Sequence, residues 1–248
     1  MPYTGQFQKL LRMKKIIRVT KSLIAQGDYK FFWQIFKKKI YSTEIAFGFR
    51  LDLEQGVKQR RALIPITIRP SQREDDIYFL DNKTTGLIEK LDTCYVAINK
   101  EGVPCFRCWL IDASQNLKLE QFWGKTFPAL SNDEMLIENV FTNPKFRGLG
   151  IFPAVLTQVS NKAKELGAKY TISFGEVSNK NTTRSMVYAG FKPYIYRKVN
   201  WFLFKKRVTF SHIPDTLILC TIFNITRIIL EPQKMKLFNP LTNLRDVH

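Results

Sequence analysis

Apolar residues recur along the chain with the periods of helices and strands. The stretch 62–69 reads as a strand, and Pro70, Ser71 and the acidic residues at 74–76 that follow it predict a capped helix start. Residues 94–99 and 104–111 predict two strands of a hairpin around a Lys-Glu-Gly turn at 100–102. We therefore expect an antiparallel sheet in this part of the chain.

The second half of the chain predicts alternating strands and helices. A strand at 135–141 is followed by a glycine-bearing loop and then by a helix that Gly167 ends. The helix carries an apolar stripe of Val155, Leu156, Val159, Ala163 and Leu166. Next come a strand from 170 to 174, a short helix capped by Asn179 and closed at 190–191, and two strands within 194–210. The fold class is mixed α/β.

The two ends of the chain have a different pattern. Residues 1–40 alternate basic and apolar groups up to Lys37, Lys38 and Lys39, which predicts one or two amphipathic helices. These helices either pack on the main domain, the interpretation we favour, or lie on a membrane surface. We divide the chain into an N-terminal helical extension (1–60), a main domain (61–210) and a C-terminal cover segment (211–248). The apolar run 217–230 is shorter than the roughly 20 residues of a spanning helix.

Composition narrows the possible partners and chemistry. With 39 Lys and Arg against 21 Asp and Glu, the net charge is +18, which favours an anionic partner: a nucleic acid, a phosphorylated ligand or acidic lipid. Four cysteines and two histidines offer little material for a zinc site or a His-based triad, so we expect reduced thiols and no metal. The N-terminus does not have the pattern of a secretory signal, and we expect a cytoplasmic protein.

Aromatic and basic residues also alternate near the end of the main domain. Trp201, Phe202 and Phe204 precede a basic run at 205–207. This pattern fits either a platform for stacking nucleic-acid bases or a strand whose aromatic side chains enter the core. We favour the core, and we do not expect a nucleic-acid partner.

The loop at 143–153 carries the most informative chemistry. Gly148 and Gly150 follow a strand and open a helix, where exposed backbone amides and the helix dipole favour an anion such as phosphate. The loop has neither the Gly-Lys-Ser/Thr ending of a P-loop nor the dinucleotide-binding Gly-x-Gly-x-x-Gly pattern. A phosphate-binding loop of another kind is therefore expected.

Two motifs resemble the GNAT superfamily of acyl-CoA-dependent N-acyltransferases. Residues 147–152, Arg-Gly-Leu-Gly-Ile-Phe, are similar to the family's pyrophosphate-binding motif, with Phe152 where a small residue is usual. Residues 179–191, from Asn179 to Gly-Phe, are similar to its later helix motif. The resemblance covers roughly residues 64–205. A weaker similarity is to members associated with cell-envelope sugar biosynthesis.

The resemblance implies a GNAT-type mixed, centrally splayed sheet flanked by helices, with acetyl-CoA or another acyl-CoA as cosubstrate. The pantetheine arm would lie along the strand that ends in Val140 and Phe141, in the gap of the splayed sheet. The pyrophosphate would be held at Arg147, Gly148, Leu149, Gly150, Ile151 and Phe152. Asn179 would contact the pantetheine or CoA side.

The resemblance also implies direct attack of a primary amine on the thioester. Glu138 is the candidate base, acting directly or through a water, with a structural ion pair as the alternative. The family often uses a tyrosine of the later helix as the acid that protonates the leaving thiolate, but Met186 fills that position here. Tyr188 is the remaining candidate for this acid, and core packing is its alternative role.

The acceptor is less defined than the reaction. A nucleotide-linked amino sugar suits the positive charge, and the alternatives are an amine of a protein, a peptide or another small molecule. A further alternative is a non-catalytic GNAT-like module that binds membrane or nucleic acid. We also consider peripheral membrane contact through the basic N-terminal helix, at the inner face of the membrane. The oligomeric state is open.

Overall fold

The computed structural model of the 248-residue chain describes residues 29–80, 91 and 93–213. In chain order its helices and strands are α1 Tyr29–Ile40, β1 Tyr41–Asp52, β2 Thr67–Pro70, β3 Cys94–Ile98, β4 Pro104–Ile111, α2 Asn116–Trp123, β5 Glu134–Thr142, α3 Ile151–Glu165, β6 Tyr170–Glu176, α4 Lys180–Tyr188, β7 Lys192–Phe202 and β8 Lys205–His212. Short 3₁₀ helices lie at Arg73–Phe79, Ala113–Gln115 and Pro144–Phe146. The predicted apolar run 217–230 lies outside the described residues.

The eight strands form one sheet in the order β2-β3-β4-β5-β6-β1-β7-β8. Strands β2 to β5 pair antiparallel with their neighbours in sequence. Strand β5 pairs parallel with β6, and β6 pairs antiparallel with β1. The parallel step requires a crossover, which α3 supplies. The predicted mixed sheet with flanking helices is confirmed.

Strand β1 lies in the range for which the sequence predicted a helical extension. Helix α1 ends at Ile40, and the chain then forms a strand of 12 residues between β6 and β7. The buried residues Ala46, Gly48 and Phe49 are not separated by polar ones. A strand covered on both faces loses the alternation by which strands are recognised, which is why the pattern did not predict this one.

The strand predicted at 62–69 is shorter than expected. Only Thr67–Pro70 pairs with β3, because the preceding segment runs along the glycine loop, where the Leu63 amide donates to the Leu149 carbonyl at 2.9 Å. The predicted helix start after Pro70 is a 3₁₀ helix, and the Asp75 carboxylate accepts from the Gln72 amide at 2.7 Å. Helix α2 was not predicted.

Two apolar clusters cover the two faces of the sheet. The larger joins strands β1, β4 and β5 to helices α3 and α4, and includes Phe49, Phe106, Ile137, Val155 and Met186. The smaller joins β4, β5 and β6 to α2, and includes Trp109, Leu119, Phe127, Ile172 and Phe174. Strand β5 contributes to both clusters and so lies inside the fold.

The described residues divide into two compact units, 29–44 with 199–208, and the remainder. In the first unit, Phe202 and Phe204 are more than half exposed, so the expectation that they enter the core was wrong. Phe202 ends β7, and Phe204 is the second residue of the two-residue turn that joins β7 to β8. Residues at such a turn point away from the paired strands, which explains their exposure.

None of the helices in the described ranges is both long and apolar enough to cross a membrane.

Candidate active site

The sheet opens between its two parallel strands. Pairing of β5 with β6 covers Glu134, Met135 and Leu136, opposite residues 170–172, and ends there although the strands continue to Thr142 and Glu176. The backbone groups on the facing edges beyond Leu136 are therefore available to an extended ligand, which could bind as an added strand does. This opening agrees with the centrally splayed sheet that the GNAT resemblance implies.

A bulge in β5 lies beside the opening. Trp109 of β4 pairs with Glu138 of β5 and Arg107 pairs with Phe141, so β5 has one residue more than β4 between these pairs. Asn139 lies within the bulge and has a φ of 53°, a left-handed backbone conformation that is uncommon outside glycine. Such bulges redirect side chains and backbone amides, and here the redirected groups lie where β5 leaves β6.

Glu138 immediately precedes the bulge. The residue is partly buried, but its Oε2 atom is closed off from solvent and has no hydrogen-bond partner. Burial raises the pKa of Glu138 to about 7, while the Asn139 amide and the positive charge of Arg197 act in the opposite direction. A carboxylate with a pKa near neutrality can take a proton from an ammonium group and release it again.

Further polar atoms near Glu138 also lack partners. Trp109, opposite Glu138 on β4, has a buried indole Nε1–H without an acceptor, and the Asn139 Nδ2 is buried without one. Buried polar groups are nearly always hydrogen-bonded in folded proteins, so three such atoms on adjacent strands indicate a place for a polar ligand.

Aromatic side chains and the Arg197 guanidinium line the same side of the sheet. Trp109, Phe127 and Phe174 belong to the smaller apolar cluster. The Arg197 guanidinium lies 4.8 Å from the Phe174 ring centroid and 5.4 Å from that of Phe127. It also donates to the Thr126 carbonyl at 3.1 Å. The Glu138 carboxylate is therefore adjacent to an apolar wall that carries a fixed positive charge.

The glycine loop starts from an anchored residue at the end of β5. Asn143 is buried, and its side-chain amide donates to the Tyr78 carbonyl at 3.1 Å while its side-chain oxygen accepts from the Lys145 amide. Its own amide donates to the Cys105 carbonyl of β4. These bonds fix the direction in which the chain leaves the opened strand.

Both glycines of the loop have left-handed backbone conformations. Gly148 has φ of 81°, and a Cβ there would meet nothing within 4 Å, whereas Gly150, with φ of 69°, is the N-cap of α3. The first hydrogen bond of α3 runs from Ala154 to the Gly150 carbonyl. The amides of Ile151 and Phe152 precede this ladder and are oriented for an anion at the helix start.

The flanking side chains leave this loop accessible. Phe152 occupies the position where a small residue is usual, but its ring stacks on Phe106 at 6.0 Å and joins the larger core cluster. Arg147 is exposed, and its Nε donates to the Thr142 carbonyl at 3.3 Å. Lys145 is exposed as well. The loop thus combines directed amides with two cations at its edge.

Asn179 begins α4, as the sequence predicted. Its side-chain oxygen accepts from the Thr182 amide at 3.2 Å, the standard N-cap bond. A shallow pocket of about 460 Å³ is lined by Asn179 and its neighbours Ser178, Lys180 and Asn181. The residue is exposed and stays a candidate for contact with a ligand.

Met186, at the position where the family has a tyrosine, and Tyr188, the candidate acid, differ in their surroundings. Met186 is fully buried in the larger core cluster. Tyr188 is 55% exposed at the end of α4, and its ring lies under the Arg60 guanidinium at 4.1 Å. The structure therefore gives Tyr188 a surface contact, so the expected core packing was wrong, and its catalytic role remains a prediction.

Trp109 and Arg197 are site residues that sequence reasoning missed. Both lie on strands whose sequences carry no motif, and they meet Glu138 only through the pairing of β4 with β5 and through the fold of β7. Within β7, Arg197 stands next to Lys198, and nothing in the local sequence separates it from the other cations of the chain.

Cys94 and Cys105 do not supply a thiolate to this site. Burial raises the pKa of Cys94 to about 12 and that of Cys105 to about 11, so these thiols stay protonated. Within residues 29–80, 91 and 93–213, no three groups of His, Cys, Asp or Glu lie together in a way that could hold a metal ion.

No protein-family model matches the sequence. No curated protein matches it at a significant level.

Solved structures do match the fold. One is a GCN5-related N-acetyltransferase from Sphaerobacter thermophilus, with 13% identity, a TM-score of 0.46, and coverage of 73% of this chain and 55% of that one. Another is a GNAT-family acetyltransferase from Colwellia psychrerythraea, with 13% identity, a TM-score of 0.46, and coverage of 70% and 57%.

A third match is the GCN5-related glucosamine N-acetyltransferase region of a fungal multi-domain β-N-acetylglucosaminidase, with 13% identity and a TM-score of 0.49. It covers 69% of this chain and 22% of that one. The chain thus spans less than two thirds of each of these proteins. The superfamily that the two sequence motifs resemble, GCN5-related N-acetyltransferases, is the one to which these solved structures belong.

Proposed function

We propose that this protein is an N-acyltransferase that moves an acyl group from acyl-CoA, with acetyl-CoA as the expected donor, to a primary amine. One observation carries the proposal. The sheet opens between β5 and β6 directly beside a buried carboxylate, Glu138, and strand β5 leads from this opening into the glycine loop.

The residues present fit acyl-CoA. The glycine loop offers the amides of Ile151 and Phe152 to a pyrophosphate, with Arg147 at its edge. The open edge of β5, including Val140 and Phe141, offers backbone groups to the amides of a pantetheine arm. The two features are consecutive along the chain, so one extended ligand could use both.

Bound acyl-CoA supplies a thioester carbonyl as the acyl donor. Glu138 takes the proton from the acceptor ammonium, directly or through a water, so that the amine can attack. A backbone amide on the open edge of β5, beyond Asn139, donates a hydrogen bond to the acyl oxygen as it gains negative charge. The protein further contributes by holding amine and thioester together. A thiolate leaves readily, so the chemistry does not depend on Tyr188.

The acceptor that we propose is an anionic small amine, such as a nucleotide-linked amino sugar. A net charge of +18 attracts an anionic substrate and repels polyamines and aminoglycosides. Arg197 adds a positive charge on the side of the sheet that Glu138 faces. An amine of a protein or peptide is the alternative acceptor, and acidic peptides would fit the same charges.

The test is acyl transfer by the purified full-length chain. Thiol release from acetyl-CoA would be followed with nucleotide-linked amino sugars, neutral amino sugars and acidic peptides. We expect turnover with the anionic amines, and a loss of roughly 100-fold or more in kcat/KM in Glu138→Gln. Glu134→Gln, a matched change on the same strand, is expected to leave the rate unaltered.

The dissociation constant for acetyl-CoA separates chemistry from binding. Glu138→Gln is expected to bind acetyl-CoA as well as the original chain, because the carboxylate is not part of the glycine loop. If acetyl-CoA binds and no amine is acylated, the chain is a non-catalytic module. If acetyl-CoA does not bind, the proposal is wrong at its first step.

A further inference from the structure

The unit formed by residues 29–44 and 199–208 carries an unusual hairpin turn. Strands β7 and β8 are joined by Leu203 and Phe204, whose φ angles are 45° and 64°. Two-residue turns with positive φ at both positions normally contain Asn and Gly, because larger side chains are strained there. Two bulky apolar residues at these positions are therefore costly for the fold.

Two hydrogen bonds hold this turn in place. The Leu203 amide donates to the Ile40 carbonyl at 2.9 Å, and the Phe204 amide donates to the Lys39 carbonyl at 2.8 Å. The turn thereby satisfies carbonyls at the C-terminal end of α1, and the Phe204 ring packs edge-on against Phe36 at 5.4 Å. Helix α1 and the hairpin turn therefore form one structure.

The side chains at this turn lie in solvent. Phe202 is 61% exposed, Leu203 59% and Phe204 54%, and the nearby Trp33 of α1 is 52% exposed. Contiguous exposed apolar side chains on a folded protein mark a site of interaction with a partner or a membrane. Strained backbone that keeps such side chains exposed points to the same conclusion.

Cations surround these apolar side chains. Residues 29–44 and 199–208 contain seven Lys or Arg and one acidic residue, Glu44, which pairs with Lys38. Lys37 lies 5.6 Å from the Trp33 ring centroid, and Lys39 lies 5.9 Å from that of Trp201. Apolar side chains at the centre of a basic surface match the interface of an anionic bilayer, with acyl chains below and phosphate groups above.

We propose that the basic aromatic surface, defined as Trp33, Phe36, Lys37–Lys39 and residues 201–207, docks on anionic membrane. Phe202, Leu203 and Phe204 enter the boundary between headgroups and acyl chains, and the surrounding Lys and Arg contact lipid phosphates. A second copy of the chain would bring together two surfaces with the same strong positive charge.

Nucleic acid fits this surface less well. Base stacking needs open aromatic faces, but Trp33 is stacked on Phe36 at 5.4 Å with Lys37 also over its ring, and Lys39 lies over Trp201. Leu203, the first residue of the turn, has no aromatic face. An apolar aliphatic residue at the turn is suited to lipid.

The experiment is vesicle flotation with the full chain. Vesicles of phosphatidylcholine alone would be compared with mixed vesicles of phosphatidylcholine and phosphatidylglycerol. We expect binding to the mixed vesicles that weakens with added salt, and little binding to phosphatidylcholine alone. A blue shift of tryptophan fluorescence on binding is expected from Trp33.

The decisive variant is Leu203→Asn with Phe204→Gly. It introduces the residues that the turn prefers, so the thermal stability should stay equal or rise, while the partition coefficient onto mixed vesicles falls by about tenfold or more. Leu117→Gln removes another exposed leucine, on α2, and should leave vesicle binding unchanged.

Three results would overturn the proposal. The first is that the original chain does not float with mixed vesicles. The second is that the double variant floats with them as well as the original chain does. The third is that the original chain binds a single-stranded oligonucleotide and the double variant does not, while the double variant still binds vesicles. The last result would identify the surface as a nucleic-acid site.

Discussion

Glu138 illustrates how the environment of one residue sets its chemistry. Its pKa of about 7 lies in the range where a carboxylate can act as a base near neutral pH. We expect kcat/KM to rise with pH and to level off above about 7, because only the ionised carboxylate accepts a proton. The measurement is a pH–rate profile of acyl transfer. In Glu138→Gln the remaining activity should lack this rise, and a variant that retains it would show that another group titrates.

The same carboxylate should also make the fold less stable at high pH. The pKa in the folded state is above the value of about 4.5 that the unfolded chain is expected to have. Between these values the folded state holds a proton that the unfolded state has lost, so stability falls as pH rises to about 7 and then stays low. We expect Glu138→Gln to raise the unfolding free energy by about 2 to 3 kcal/mol at about pH 8.

Urea unfolding at two pH values tests this effect. At about pH 5 the difference between Glu138→Gln and the original chain should be small, because the carboxyl of the folded chain is already protonated. An equal difference at both pH values would mean that packing, and not ionisation, separates the two proteins.

At the scale of elements, the glycine loop should tolerate side chains poorly. Gly150→Ala places a Cβ on a residue with φ of 69°, 3.6 Å from the Arg61 carbonyl oxygen. We expect a cost of roughly 1 to 2 kcal/mol in stability, and an acetyl-CoA affinity lower by about tenfold or more because the amides of the loop move. Isothermal titration calorimetry measures the affinity.

Gly102→Ala is the matched control for that change. Gly102 has φ of 77° in the turn between β3 and β4, and a Cβ there would meet nothing within 4 Å. The strain is therefore similar, but the acetyl-CoA affinity should not change. If both variants lose the same affinity, the effect reflects general destabilisation and not the loop.

Strand β1 depends on a close approach of its backbone. A Cβ added to Gly48 would lie 2.3 Å from Ile195 Cγ2 and 3.0 Å from the Phe174 ring. We expect Gly48→Ala to destabilise the fold by about 1 to 3 kcal/mol through overpacking. Thermal unfolding measures the loss, and Gly48→Ala with Ile195→Val should recover part of it. A neutral effect of Gly48→Ala would show that β7 can shift.

Elements with local signals could be predicted from the sequence, and elements defined by distant contacts could not. Asn179 carries its own capping signal, and α4 begins after it. Gly148 and Gly150 likewise marked the loop through the conformations that they permit. Strand β1 is recognisable only once β6 and β7 cover it. Trp109 joins the site only because β4 pairs with β5.

At the scale of the whole molecule, net charge is the property that follows most directly from the sequence. The net charge of +18 creates a positive potential that draws in anions from beyond contact distance. The glycine loop, with Arg147 and Lys145, is one place where this potential meets directed amides. The basic aromatic surface is another, with apolar side chains at its centre. Under the two proposals, the same excess of cations would serve two different anionic ligands through different neighbouring groups.

Acetyl-CoA should therefore stabilise the whole chain in a way that depends on its phosphates and on salt. A ligand that binds only the folded state at a hundred times its dissociation constant adds about 2.7 kcal/mol, which corresponds to a rise in Tm of roughly 5 to 10 °C for a chain of this size. Acetyl-pantetheine, which lacks the nucleotide phosphates, should give a much smaller rise. Added salt should reduce the effect of acetyl-CoA, because the Debye length falls from about 10 Å at about 0.1 M to about 3 Å at about 1 M. A rise that is equal for both ligands would place the affinity in the opened strand β5 and not in the glycine loop.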